Sequence, residues 1–328
     1  MENETLDAVE KFILDKEGLA KENKYESPKG WVNGLTLYNR GTTSYSYLVN
    51  NLFLKTGIST IYGVEDTGKS QLALSLLLSV IGEETFLGKK INTEHKRGLL
   101  ISTEDAEEDI EVRLHMMVDN SEYLEDNLKR LDTRYTAKDP VKTLSDYLEK
   151  TKVDLVVLDC FGDMFPHDMK QLNHTRVWLQ EFYELTTQYK FHLLFVHHSK
   201  KGSEAYKPHA SNCSGVGLTA KGRTSIEFRK DPEDIDKRHV CIVKANHLKE
   251  ELKQDSIEVK FNHGFFKVSG SKQFDMLVIT DEEKSRLMEK IVVLSATKTQ
   301  AVIAEELGIN QSQVSRYLKK AKHDEKYS

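Results

Sequence analysis

From Tyr47 onward, short apolar runs alternate with longer stretches in which leucines recur at helical spacing. The runs Ile58–Tyr62, Arg97–Ser102, Leu155–Asp159, His192–His197, Thr224–Phe228 and Val240–Lys244 predict strands, and helical pattern fills the gaps between the first four. That alternation predicts an α/β fold, a mostly parallel sheet flanked by helices, with the later, closely spaced strands forming an antiparallel edge. Ser256–Lys260 and Phe265–Val268 flank Asn262-His263-Gly264 as a hairpin, and the polar stretch Ser269–Gln273 reads as a boundary. Beyond it, Asp281–Leu294 is helical, and Thr299–Leu307 and Gln311–Ala321 form two short helices around a turn at Gly308-Ile309-Asn310. Ahead of the sheet, Asp7–Glu22 can form a charged helix with Val9, Phe12, Ile13 and Leu19 as its apolar residues, followed by a polar arm containing Pro28 and Gly30. The expected division is an N-terminal helix and arm (1–46), an α/β domain (47–270) and a small all-α C-terminal domain (271–328).

Composition narrows the class. Of 328 residues, 38% are hydrophobic and 30% charged, which suits a sizeable core. The net charge of −5 excludes a uniformly basic coat but not a local basic patch. Cys160, Cys213 and Cys241 stand alone, without a C-x-x-C pair, which points to a reducing cytoplasm and away from a structural zinc site. No apolar run is long enough for a membrane span, and the polar start Met1-Glu2-Asn3-Glu4 is unlike a signal peptide.

Chemistry enters with Gly63-Val64-Glu65-Asp66-Thr67-Gly68-Lys69-Ser70, which fits G-x-x-x-x-G-K-[ST] between a strand and a leucine-rich helix that begins near Gln71. Backbone N–H groups of such a loop and helix N-terminus cradle phosphate oxygens, so Gly63 to Gln71 are the expected nucleotide-binding residues. Lys69 would reach the β- and γ-phosphates and Ser70 would ligate Mg²⁺, so ATP and Mg²⁺ are the expected cofactors. The run Val153–Asp159 ends in an acid suited to hold the same metal, although an Asp at a strand end can also merely cap a turn. Glu104, after the strand Gly98–Ser102, would share the carboxyl edge where ligands bind and could position water; alternatively it opens an acidic helix, a role that Glu107, Glu108 and Asp109 already serve. His197-His198 closes a further strand. One ring could sense the γ-phosphate; the pair could bind metal, but no third ligand stands at a metal-site spacing.

In order, Leu48–Leu52, the phosphate loop, Gln71–Leu74, Phe86-Leu87-Gly88-Lys89, Leu100–Asp105, Val157-Leu158-Asp159 and Val196-His197-His198 resemble the RepA-type ATPases of plasmids and mobile elements, over about residues 49–244. That resemblance implies a RecA-like core shared with ring helicases of the DnaB class. It also implies Glu104 as the water-activating acid, His198 as the γ-phosphate sensor, and a homo-oligomeric ring, usually a hexamer, with ATP between subunits. A neighbour then supplies a basic finger. Lys244 matches the Lys of the Lys-x-Arg element in related helicases, but Asn246 replaces its Arg, leaving Arg223 and Arg229 as substitutes.

In rings of this type the segments Gly162–Arg176 and Ser199–Arg223 would face a DNA channel. The second carries Lys200, Lys201, Lys207, Lys221 and Arg223 with Tyr206, suited to single-stranded DNA, and its Gly202, Gly215, Gly217 and Gly222 suggest mobility. The two C-terminal helices have helix-turn-helix spacing, with Val314 and Leu318 inward. There Gln311, Ser312, Gln313 and Arg316 would reach base edges and Lys319, Lys320 and Lys322 phosphates. The expected activity is an ATP-hydrolysing DNA motor, a replicative helicase or translocase of a mobile element. The alternative is an ATP-controlled DNA-binding regulator or recombination mediator that does not unwind. No N-K-x-D guanine-reading motif and no S-G-G-Q-type transporter signature is present.

Overall fold

The computed structural model describes residues 27–119, 122–135, 138–169, 171–215, 217–232, 234–278, 281–307, 309 and 311–323. The expected helix Asp7–Glu22 lies outside them. The chain divides into two compact units, residues 1–45 and 46–328. In the first, a short helix spans Gly34–Tyr38, and the Asn33 side chain caps it by accepting from the Thr36 N–H at 2.8 Å.

The second unit is built on nine strands: β1 (Gly57–Gly63), β2 (Gly98–Ser102), β3 (Leu131–Arg134), β4 (Leu155–Asp159), β5 (His192–His198), β6 (Thr224–Lys230), β7 (Lys237–Ala245), β8 (Asp255–Asn262) and β9 (Phe265–Gln273). Their spatial order is β9-β8-β7-β6-β1-β5-β4-β2-β3. β6, β1, β5, β4, β2 and β3 run parallel, and β7, β8 and β9 extend the sheet antiparallel. The main helices are α1 (Lys69–Gly82), α2 (Glu107–Val118), α3 (Pro140–Leu148), α4 (Leu172–Tyr189), α5 (Asp281–Ser295), α6 (Gln300–Glu306) and α7 (Gln311–His323).

Both faces of the parallel strands are covered, which is why those strands are apolar at consecutive positions. On one face Leu72, Ala73, Leu76, Leu77 and Val80 of α1 pack on Ile61, Leu100, Val157 and Leu194. On the other, Leu144 and Leu148 of α3 and Trp178, Leu179 and Phe182 of α4 pack on Ile58, Tyr62, Leu99, Ile101, Val156 and Phe195. Leu74, Leu78 and Ile81 on a further side of α1 meet Met117 and Val118 of α2. α1 is therefore apolar on nearly every side, with only a weak amphipathic stripe.

Three expectations need correction. The edge strand β3 escaped the apolar pattern because its Leu-Asp-Thr-Arg sequence is partly or fully exposed. Ser269–Gln273 is not a boundary but the second half of β9, polar because β9 is the opposite edge. The segment after β5 is not a free loop. It is folded back by a Ser199–Cys213 bridge and by two buried side chains: Asn212 bonds the Lys207 carbonyl and Glu227, and Tyr62 donates to the His209 carbonyl. At the C-terminus, α5, α6 and α7 close around Ile291, Ile303, Ala304 and Val314. Among the described residues no helix is long and apolar enough to cross a membrane.

Candidate nucleotide site

Strand register brings the site together. Gly63 pairs with His198, Val196 with Asp159, and Asp159 with Ser102, so the carboxyl ends of β1, β5, β4 and β2 lie side by side. The phosphate loop leaves β1, Glu104 follows β2, Asp159 ends β4 and His198 ends β5.

Both glycines of the loop are dictated by geometry. A Cβ on Gly63 would lie 2.2 Å from the Phe228 carbonyl oxygen, and Gly68 sits at φ +88°. Gly68 immediately precedes α1, so the helix N-terminus opens onto the loop. Thr67 Oγ1 donates to the Val64 carbonyl at 2.9 Å, and Lys69 Nζ is folded back on the same carbonyl at 2.9 Å. Burial pulls the Lys69 pKa down, opposed by Glu104 and Asp159. The Gln71 side chain, expected at the nucleotide, instead donates to the Gly264 carbonyl at 2.5 Å and ties the β8–β9 turn to α1.

Asp159 is buried, and burial pushes its carboxyl up to about 6 even though the Ser70 hydroxyl hydrogen-bonds it. Its Oδ1 is buried with no hydrogen-bond partner. An orphaned carboxylate oxygen beside a serine hydroxyl fits the oxygen-donor demands of Mg²⁺. The corner around Glu104 is braced by its neighbours. Asp105 is held by a two-pronged Arg113 pair at 2.6 and 2.7 Å, and α2 is capped by Asp109, whose Oδ2 accepts from the Ala106 N–H at 3.0 Å. Glu104 serves neither the cap nor the ion pair, and its Oε2 lies 3.8 Å from His198 Nε2.

The two histidines differ. His197 is buried, with Nε2 3.0 Å from Ser214 Oγ, and desolvation lowers its pKa to about 4. His198 stands at the strand end facing Glu104. Cys160, not singled out in the sequence, joins them with Sγ 3.9 Å from His198 Nε2. A cavity of about 540 Å³ adjoins the loop and is lined by Val64, Glu65, Asp66, His198, Lys201 and Arg316 among others. A larger one, about 730 Å³, lies between the end of α1 and the β8–β9 hairpin and contains none of these groups.

The other expected contacts fare unevenly. Arg229 cannot serve as a finger: it is 2% exposed, and its guanidinium donates to Glu227 and to the carbonyls of Ser203 and Leu277. Lys244 caps the helix Leu218–Lys221 through the Thr219 and Ala220 carbonyls. Arg223 keeps an exposed side chain, beside Gly57 at the amino end of β1 and so at the far end of the sheet from the phosphate loop. Lys200, Lys201 and Lys207 are all exposed; Lys200 also donates to the Ser211 carbonyl at 2.6 Å, and Lys207 pairs with the exposed Asp275. On α7, Gln311, Arg316 and Lys319 are exposed, and Arg316 lines the cavity at the phosphate loop. The side chains of Ser312, Gln313 and Lys322 lie outside the described residues.

The solved structure of the RadB recombinase superposes with a TM-score of 0.46 at 17% identity, over 65% of this chain and 91% of that chain. At that level the likeness bears on neither mechanism nor partner. No curated protein matches the sequence. The family model described as the AAA domain matches residues 30–204, more than half of the chain, and takes in the phosphate loop, Glu104, Asp159 and His198. The chain thus belongs to the AAA-domain family of P-loop proteins.

Proposed function

We propose that this chain is an ATP-hydrolysing, DNA-associated ATPase of RecA-like type. The observation that carries the reading is the convergence of the phosphate loop, Glu104, Asp159 and His198 on one edge of the sheet. Loop N–H groups and the α1 N-terminus would bind the phosphates. Lys69 would leave the Val64 carbonyl for the β- and γ-phosphates. Ser70 and Asp159 would hold Mg²⁺, which when bound neutralises charge on the phosphates. Glu104 would take the proton of the attacking water. His198 would hydrogen-bond the γ-phosphate and register its loss. A physical route exists from that position to the segment after β5, because the Ser214 N–H donates to the His198 carbonyl and Ser214 Oγ meets His197.

The association with DNA rests on the resemblance and on the exposed Lys201, Gln311 and Lys319. Two forms differ in what ATP does. A ring motor, hexameric by resemblance, needs a finger from a neighbouring subunit, for which Arg223 is the remaining exposed candidate. A regulator or recombination mediator needs no translocating loop, and the folding back of the segment after β5 by Tyr62, Asn212 and Glu227 supports that form. ATP turnover with and without single-stranded DNA, mass measurement in both states, and a strand-separation assay decide between them. Stimulated turnover, a ring and unwinding sustain the motor. Assembly without unwinding sustains the regulator, and a monomer indifferent to DNA overturns both.

A further inference from the structure

Glu104, Cys160 and His198 are separated along the chain by 56 and 38 residues, yet the carboxylate, thiol and imidazole donors all lie within 4.8 Å of one another. The pairwise distances are 3.9 Å for Cys160 Sγ to His198 Nε2 and 3.8 Å for His198 Nε2 to Glu104 Oε2. Tetrahedral coordination with bonds of about 2.0–2.3 Å requires donor separations of roughly 3.3–3.8 Å, so small side-chain rotations close the set. We propose that Glu104, Cys160 and His198 form a binding site for a thiophilic divalent cation of the Zn²⁺ class, whose occupancy blocks the hydrolytic centre.

The donor types discriminate between metals. Asp159 and Ser70 offer only oxygens, the set suited to Mg²⁺. The adjacent residue, Cys160, turns the neighbouring set to sulfur, nitrogen and oxygen, which suits Zn²⁺ and Co²⁺. The position of Cys160 is fixed by its backbone: its N–H donates to Thr103 Oγ1 at 3.3 Å, while the Thr103 N–H donates to the Asp159 carbonyl at 2.6 Å. Three protein donors leave a fourth position for water, as in open zinc sites. On binding, the thiol proton leaves to solvent as the metal–sulfur bond forms. Lys69, which interacts with both Glu104 and Cys160, opposes entry, and Asp159 offsets it. The binding claim stands on donor geometry alone; the block of hydrolysis rests on the roles proposed above for Glu104 and His198.

The test is a Co²⁺ titration of the nucleotide-free full chain. We expect a thiolate-to-cobalt charge-transfer band that saturates at one equivalent. Cys160→Ser should abolish the band, while Cys213→Ser and Cys241→Ser, both elsewhere in the core, should retain it. His198→Asn should weaken cobalt binding by about 10–100-fold or more, since loss of even a supporting residue costs that much. Absence of the band in the wild type, or an undiminished band in Cys160→Ser, overturns the proposal. In a second arm Zn²⁺ should slow ATP turnover, with Cys160→Ser needing about tenfold more zinc than the wild type to halve its own zinc-free rate. Cobalt binding without any inhibition by zinc overturns the claimed block. If no form of the protein turns over ATP, the ATPase reading fails while the cobalt band still decides the site.

Discussion

Removing the charge of Asp159 should make the nucleotide-free protein more stable. The carboxyl titrates near 3.8 in the unfolded chain and at about 6 in the folded one, because burial outweighs the Ser70 hydrogen bond. Between those values the native state holds a proton that the unfolded state has released, so stability falls as pH rises through this window. A shift of roughly two pH units corresponds to about 3 kcal/mol, lost in full above the folded value. Asp159→Asn retains the shape and an acceptor for Ser70 but carries no charge. In a chelating buffer at pH 7.5 it should gain up to about 3 kcal/mol, or about 5 °C in melting temperature for a chain of this size. The gain should shrink to nothing near pH 4. With Mg²⁺ and ATP the order should reverse, because only the wild type has the carboxylate to bind metal and be stabilised by it. Melting curves from pH 4 to 8, with and without Mg-ATP, read all three effects. A variant less stable than wild type at pH 7.5 without metal, or a gain independent of pH, refutes the reasoning.

Other substitutions probe the frame. Arg229→Met should destabilise by about 3 kcal/mol in urea unfolding, because it strands the buried Glu227 with only its neutral donors, and adding Glu227→Gln should recover most of that loss; loss of activity in mixed oligomers without any loss of stability would restore Arg229 as a finger. Gly63→Ala should cost about 1–3 kcal/mol or more and greatly weaken nucleotide binding, since its Cβ would meet the Phe228 backbone at 2.2 Å; fluorescent-nucleotide titration at unchanged affinity would contradict the close approach. Lys319→Ala should weaken duplex DNA binding evenly across sequences and reduce its salt slope by about one; an unchanged slope removes α7 from the DNA surface.

Much of this was legible because the signals were local. The phosphate loop is contiguous, and each buried strand announces itself as an apolar run ending in the residue that matters, as Leu155–Asp159 does. What stayed hidden depended on pairing across the sheet. β3 and the end of β9 are edges with little to bury, so their polarity concealed them. Gly202, Gly215, Gly217 and Gly222 suggested mobility, whereas the tethers to that segment come from Tyr62 and Glu227 on other strands. Arg229 had a readable clue: it stands two residues from Glu227 in a strand, hence on the same face, where a buried pair forms. Cys160 had none, since its nearness to Glu104 and His198 follows from the order β5-β4-β2 and not from spacing.

Phosphate release at saturating Mg-ATP by the wild type and by Glu104→Gln decides whether the groups at the carboxyl edge hydrolyse ATP with Glu104 as the base. The wild type should turn over ATP, and the variant should be slower by about 100-fold or more. Nucleotide affinity should change far less than the rate, because the loop N–H groups and Lys69, and not Glu104, are the groups that would hold the phosphates. No turnover by the wild type with or without DNA, or an equal rate in the variant, would contradict that chemistry.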